Sequence, residues 1–91
     1  MRVVVTNKVK KFLERLAQKN KTICKNNLKK LETPYPGEGT GDKEKLKISG
    51  EEIYRLHIAR AYTAFYIIDK EQVVVLEIMS IERAHKKYGR L

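Results

Sequence analysis

The spacing of hydrophobic positions changes along the chain, and each change marks a different element. Met1-Arg2-Val3-Val4-Val5 opens with a β-branched run that reads as a short strand. Val9, Phe12, Leu13, Leu16 and Ala17 then recur at i, i+3, i+4, i+7 and i+8, while Lys8, Lys10, Lys11, Glu14, Arg15 and Gln18 fill the other positions. That period belongs to an amphipathic helix, with Thr6 or Asn7 as its N-cap. A second helix is predicted from Asn20 or Thr22, keeping Ile23, Cys24, Asn27, Leu28 and Leu31 on helical spacing up to the break at Pro34. The few polar residues between the two helices make them a hairpin.

Residues 33 to 43 hold both prolines and three of the five glycines, so a loop is expected there. Beyond it the period drops to two. Leu46 and Ile48 mark one short strand, Ser49-Gly50-Glu51-Glu52 a turn, and Tyr54, Leu56 and Ile58 a second strand in which Arg55 and His57 alternate with them. Tyr62 to Ile68 and Val73 to Met79 are longer apolar runs joined by Asp69-Lys70-Glu71-Gln72, the pattern of central antiparallel strands with one face covered by helices. The residues from Glu82 onward read as a short polar tail. The predicted class is α+β, with an N-terminal strand and helical hairpin packed on one face of an antiparallel β-sheet and a short C-terminal tail, all in one domain of 91 residues.

Composition narrows the chemistry. With 42% hydrophobic residues the chain can build a core, and its 20 Lys+Arg against 11 Asp+Glu leave a net charge of +9, which points to a polyanionic partner. The excess is concentrated, because residues 7 to 31 carry nine Lys/Arg against Glu14 alone. Such a one-sided helical hairpin attracts phosphate chains in a salt-dependent way. No apolar run approaches a membrane span and the N-terminus lacks signal-peptide character, so a cytoplasmic chain without membrane contact is expected. Cys24, the single cysteine, sits on the apolar face of the second helix and reads as a buried thiol. Gly37-Glu38-Gly39-Thr40-Gly41 follows no strand and precedes no helix, and so does not read as a phosphate loop. Neither a zinc-ligand pattern nor an acidic magnesium cluster is visible, so no cofactor is expected.

Strand parity places Arg55 and His57 on the same sheet face, about 7 Å apart and opposite Tyr54, Leu56 and Ile58. If the helices cover the Leu56 face, this other face is open to solvent. Arg60 follows at the strand end, and Arg83, Lys86, Lys87, Tyr88 and Arg90 crowd the tail. Tyr54 and Tyr66 fall in strand patterns as packing residues.

The order of strand, helical hairpin, Pro/Gly loop, antiparallel strands and basic tail resembles the RelE/ParE toxin superfamily, specifically its RelE branch. The resemblance spans essentially the whole chain. It is carried by Leu46-Lys47-Ile48-Ser49-Gly50, Ile53-Tyr54-Arg55-Leu56-His57-Ile58, Ala61 to Asp69, Val73 to Ile78, and Ile81-Glu82-Arg83-Ala84-His85-Lys86-Lys87-Tyr88. It implies the toxin of a type II toxin–antitoxin pair, a metal-independent endoribonuclease that cleaves mRNA in the ribosomal A site and is neutralised by a RelB-like antitoxin. The toxin–antitoxin complex would also bind operator DNA.

By position, the resemblance assigns catalysis to Arg55, His57, Arg83 and Tyr88, while Lys45, Lys47, Arg60, Lys86 and Lys87 are expected to contact RNA. His57 suits proton transfer because an imidazole titrates near neutrality. Arg55 and Arg83 are expected at the scissile phosphate, and Tyr88 is expected to stack on a base or join proton transfer. One position departs from the pattern: Thr63 stands where the family commonly has an arginine, and Arg60 is the nearest substitute. Two other readings fit the same residues, a ParE-like toxin that inhibits DNA gyrase and a non-enzymatic binder of ribosomal RNA.

Overall fold

The computed structural model describes residues 1–37 and 41–89, so most of the glycine-rich stretch and Arg90 lie outside the described residues. The elements are β1 (Arg2–Val5), α1 (Asn7–Arg15), α2 (Gln18–Leu28) continued by a 3₁₀ turn (Lys29–Glu32), β2 (Lys43–Ile48), β3 (Glu51–Ile58), β4 (Tyr62–Asp69), β5 (Gln72–Ser80) and α3 (Ile81–Tyr88). They form one five-stranded sheet in the order β1-β5-β4-β3-β2. Strands β2 to β5 are antiparallel neighbours, whereas β1 pairs parallel with β5, from Arg2 opposite Gln72 to Val5 opposite Val75. The sheet is thus mixed rather than wholly antiparallel.

Local chemistry sets the boundaries. The Thr6 hydroxyl caps α1 by accepting from the Val9 amide at 3.4 Å, and it donates to the Leu76 carbonyl at 3.0 Å, so one side chain starts the helix and ties it to β5. Helix α2 begins at Gln18, earlier than Asn20 or Thr22, with Ala17 at its N-cap and no side-chain cap. The β2–β3 hairpin turns on Ser49 and Gly50 alone, both at positive φ, so Glu51 and Glu52 belong to β3 rather than to the turn. Paired left-handed residues give the backbone twist that matches two antiparallel strands.

The core lies where the α1–α2 hairpin meets the sheet. Val9, Leu13, Cys24, Leu28 and Leu31 from the helical layer pack on Leu56, Ile58, Ala64, Tyr66, Val73, Val75 and Ile78. Burial pushes the Cys24 thiol pKa up, as expected for an inert structural cysteine. Tyr66 stacks on Tyr54 with ring centroids 5.4 Å apart and donates its hydroxyl to the Pro34 carbonyl at 2.6 Å, which anchors the loop after α2.

The opposite face carries a smaller cluster, Phe65, Met79 and Ala84, flanked by Leu46, Ile48, Ile53 and Tyr88. Here the structure departs from the expected tail. The C-terminal residues form α3, capped by Ser80 accepting from the Arg83 amide at 3.1 Å, tethered by the Ile81 amide to the Ala61 carbonyl at 3.0 Å, and closed by Gly89 at φ 77°. Ile81, Ala84 and Tyr88 have helical spacing, but the segment is short and highly charged, and tertiary packing stabilises it more than propensity does.

A bulge in β5 decides what this face presents. Tyr66 pairs with Val75 and Phe65 with Glu77, leaving Leu76 as the extra residue. Strict alternation would put Glu77 beside Val73 and Val75 in the core. The bulge turns it to the opposite face, beside Phe65.

Candidate functional site

The cross-strand register brings Glu44, Arg55, Phe65 and Glu77 into one row on the α3 side of the sheet. A carboxylate stands at each end of the row, and each gathers cations.

At the β2 end, Glu44 accepts a charged hydrogen bond from Arg55 and lies 3.5 Å from His57 Nε2. Burial opposes ionisation of Glu44, yet hydrogen bonding and charge from Arg55, joined by His57, outweigh it and hold its pKa below the usual carboxylate value. Arg55 and His57 share a face, as parity requires, but the face is not open as expected. The Arg55 side chain is only 8% exposed, whereas that of His57 is 37% exposed. Leu46, Ile48, Ile53 and the packing of α3 on Phe65 and Met79 account for the closure.

At the β5 end, Glu77 accepts from Lys87 at 3.1 Å and from the Tyr88 hydroxyl at 3.2 Å, and forms an ion pair with Lys8 of α1. Burial again opposes ionisation, and hydrogen bonds from Lys8 and Lys87 overcome it, so the Glu77 pKa is lowered. The Lys87 pKa is raised in turn, chiefly by its hydrogen bond to Glu77. Tyr88 packs against Phe65 with ring centroids 4.9 Å apart, which links the Glu77 end of the row to its middle.

The remaining candidates are spread out. His57 pairs with Thr63, and Thr63 with Met79, so two strand spacings, about 10 Å, separate His57 from β5. Arg83 is exposed and lines a cleft with Lys11 and Arg15 of α1, on the far side of β5. Thr63, where the family pattern has arginine, is 2% exposed, and its hydroxyl has no hydrogen-bond partner among the described residues. Arg60 sits exposed in the β3–β4 turn at φ 57°. Lys45 and Lys47 pair across from Tyr54 and Glu52, and so point to the opposite face from His57. Lys45 is engaged with Glu52 at 3.3 Å, and Lys86 with Glu82 at 3.6 Å.

Sequence reasoning missed Glu44, Glu77 and Lys8. A lone acid in the apolar run Val73–Met79 was the available signal for Glu77, while only register could reveal Glu44 beside Arg55. Among the described residues no three His, Cys, Asp or Glu side chains gather as a ligand set.

Comparison with solved structures identifies the same fold elsewhere. The archaeal RelE–RelB complex from Pyrococcus horikoshii matches with a TM-score of 0.71 at 22% identity, covering 91% of this chain and 97% of that one. A copper-bound mutant toxin from Helicobacter pylori matches with a TM-score of 0.63 at 12% identity, over 91% and 97% of the two chains. The intact E. coli RelBE toxin–antitoxin complex matches with a TM-score of 0.50 at 15% identity, over 85% and 92%. A search of the curated proteins finds no match. The family model for the ParE toxin of type II toxin–antitoxin systems matches residues 3–85, nearly every element from β1 into α3. The chain therefore belongs to the ParE toxin family of the RelE/ParE toxin superfamily and is a toxin of the type II toxin–antitoxin class.

Proposed function

We propose that this toxin acts in the cytoplasm as a ribosome-dependent endoribonuclease, severing mRNA in the A site. The observation that carries the reading is the half-exposed imidazole of His57 beside Glu44 and Arg55. In this chemistry the ribose 2′-hydroxyl gives up its proton and attacks the adjacent phosphate, and the 5′-oxygen leaves with a proton, producing a cyclic phosphate. Side chains that supply a base, an acid and positive charge suffice for it.

His57 takes the 2′-hydroxyl proton, Glu44 steadies the imidazolium that results, and solvent water supplies the proton with which the 5′-oxygen leaves. Arg55, closed off from solvent, acts by holding Glu44 and lending its charge. Arg83 is exposed, and no carboxylate pairs with it among the described residues, so it meets a phosphate directly. Tyr88 contributes a ring for base contact once it leaves Glu77. Arg60 adds positive potential near the α3 N-terminus and Lys86 near its C-terminal end, where Lys87 does so after separating from Glu77. Lys45 and Lys47, on the other face, serve ribosomal RNA.

A RelB-like antitoxin, acidic and folding on contact, would neutralise this surface, and the pair would bind operator DNA. Support comes from membership of a toxin family and from RelB complexes among the chains of like fold.

Toeprinting on programmed ribosomes tests the reading. The wild type should produce new ends at A-site codons, and His57→Ala should lower the rate by about 10²-fold or more. Unchanged cleavage in both His57→Ala and Arg83→Ala would overturn it. A second reading, inhibition of DNA gyrase, is favoured by the ParE identity of the family model and by the pairing of Arg55, Lys87 and Tyr88 with internal carboxylates. Loss of supercoiling activity with an intact message would select it, and a stalled but uncut message without gyrase inhibition would select binding of ribosomal RNA.

A further inference from the structure

The strongest unassigned feature is the cleft between α1 and α3. β1 ends at Val5, opposite Val75, and past that point the edge of β5 is bordered by α1 instead of a strand. The resulting cleft of about 220 Å³ has Phe12, Ile78 and Met79 as apolar lining, with Lys11, Arg15 and Arg83 around it. Lys8 is neutralised by Glu77 and closes one wall. No carboxylate pairs with Lys11, Arg15 or Arg83 among the described residues, so three uncompensated cations converge on one apolar patch. Lys11 and Arg15 lie one helical turn apart, about 6 Å along the axis. That step is comparable with the distance between successive phosphates of an extended single strand. Phe12 is half-buried, with its ring set edge-on to Tyr62 at 5.8 Å.

We infer that this cleft is a binding site for single-stranded RNA, holding consecutive phosphates on Lys11, Arg15 and Arg83 and a base against Phe12. Three cations set around a single aromatic ring suit a stacked base with its flanking phosphates. The inference rests on the RNA-directed reading of the toxin but extends it to α1, and it makes Arg83 part of a binding cleft set about two strands from His57. The RNA would thus cross the sheet from His57 on β3 to the α1 side of β5.

Fluorescence anisotropy with a labelled single-stranded RNA octamer and the full chain, without ribosomes, tests it. Lys11→Glu/Arg15→Glu should weaken binding at least about tenfold and reduce the slope of log K against log salt by about 1.4, the counterions of two phosphate contacts. Lys19→Glu/Lys30→Glu, an equal charge change on exposed positions outside the cleft, should cost less than about threefold. Phe12→Leu, which keeps an apolar side chain on the helix, should weaken binding roughly fivefold with the salt slope unchanged, as loss of stacking does. Far-ultraviolet circular dichroism confirms the fold of each variant. Equal losses from the two charge-reversal pairs would mean a diffuse field and would overturn the site, as would binding of a labelled acidic peptide, but not RNA, that depends on Lys11 and Arg15. Because the assay includes no cleavage, a wild type that binds RNA here yet cuts no message sinks the nuclease reading alone. A cleft variant that binds RNA normally, beside a wild type that cuts, sinks the cleft alone.

Discussion

The two faces of the sheet use their side chains in opposite ways. Under the α1–α2 hairpin, Leu56, Ile58, Ala64, Tyr66, Val73 and Val75 are all fully buried, and the face is apolar from β3 to β5. Under α3 the buried apolar set shrinks to Phe65, Met79 and Ala84, and charged groups enter beside it: Arg55 is 7% exposed and Glu77 is 8% exposed. Removing that much charged surface from water is unfavourable unless each ion is paired, and each is. The lesson is that one face holds the fold together and the other positions charge. The first is expected to dominate stability and the second to dominate function, so substitutions should separate the two.

The largest effect is expected on the closed face. Leu56→Ala empties a fully buried position on a central strand, and urea unfolding should show a loss of about 2–5 kcal/mol. A loss below that found for Glu44→Ala would break the comparison. Glu44→Ala should come next, at about 2 kcal/mol, because it removes a charged partner from the buried Arg55 guanidinium, the cost being softened by the partial exposure of Glu44. Arg55→Met in the same chain should restore most of it, and a double-mutant cycle measures how much.

At the other end of the row, Glu77→Gln should cost about 1 kcal/mol, since Lys8 and Lys87 are largely solvated, but it should free Tyr88 and α3. Loss of near-ultraviolet tyrosine signal with little change in the melting temperature would show this. Both carboxyl groups have pKa values lowered from the ordinary carboxylate value in the folded chain, so the unfolded chain binds more protons in the acid range. The stability they contribute is complete above the ordinary carboxylate titration range and is lost as pH falls through that range and then the lowered folded values. Acid titrations of unfolding should therefore flatten in Glu44→Gln/Glu77→Gln, and an unchanged acid slope would refute the pairing. The smallest effect belongs to Thr63→Val. Replacing a buried hydroxyl that has no partner among the described residues should be neutral or stabilising by up to about 1 kcal/mol.

How far the sequence could be read follows from the range of the forces involved. The α1 helix, the hairpin, the four later strands and the shared face of Arg55 and His57 all rest on periods of 3.6 or 2, set by local backbone geometry, and they appear as read apart from the starts of α2, β2 and β3. The sequence also carried the concentration of net positive charge in the helical hairpin. What it could not carry were pairings between distant segments. Glu44 meets Arg55 only through the β2–β3 register, Lys8 meets Glu77 only because α1 follows the edge of β5, and α3 is a helix because Phe65 and Met79 offer it a surface. The β5 bulge is the clearest case, because period-two logic assigns Glu77 to the core. One inserted residue turns it outward, where ionised oxygens can find cations. Patterning along the chain determines which elements form and which side of each is apolar. Which charges become neighbours depends on strand register and helix placement, and those are fixed only when the whole sheet is assembled.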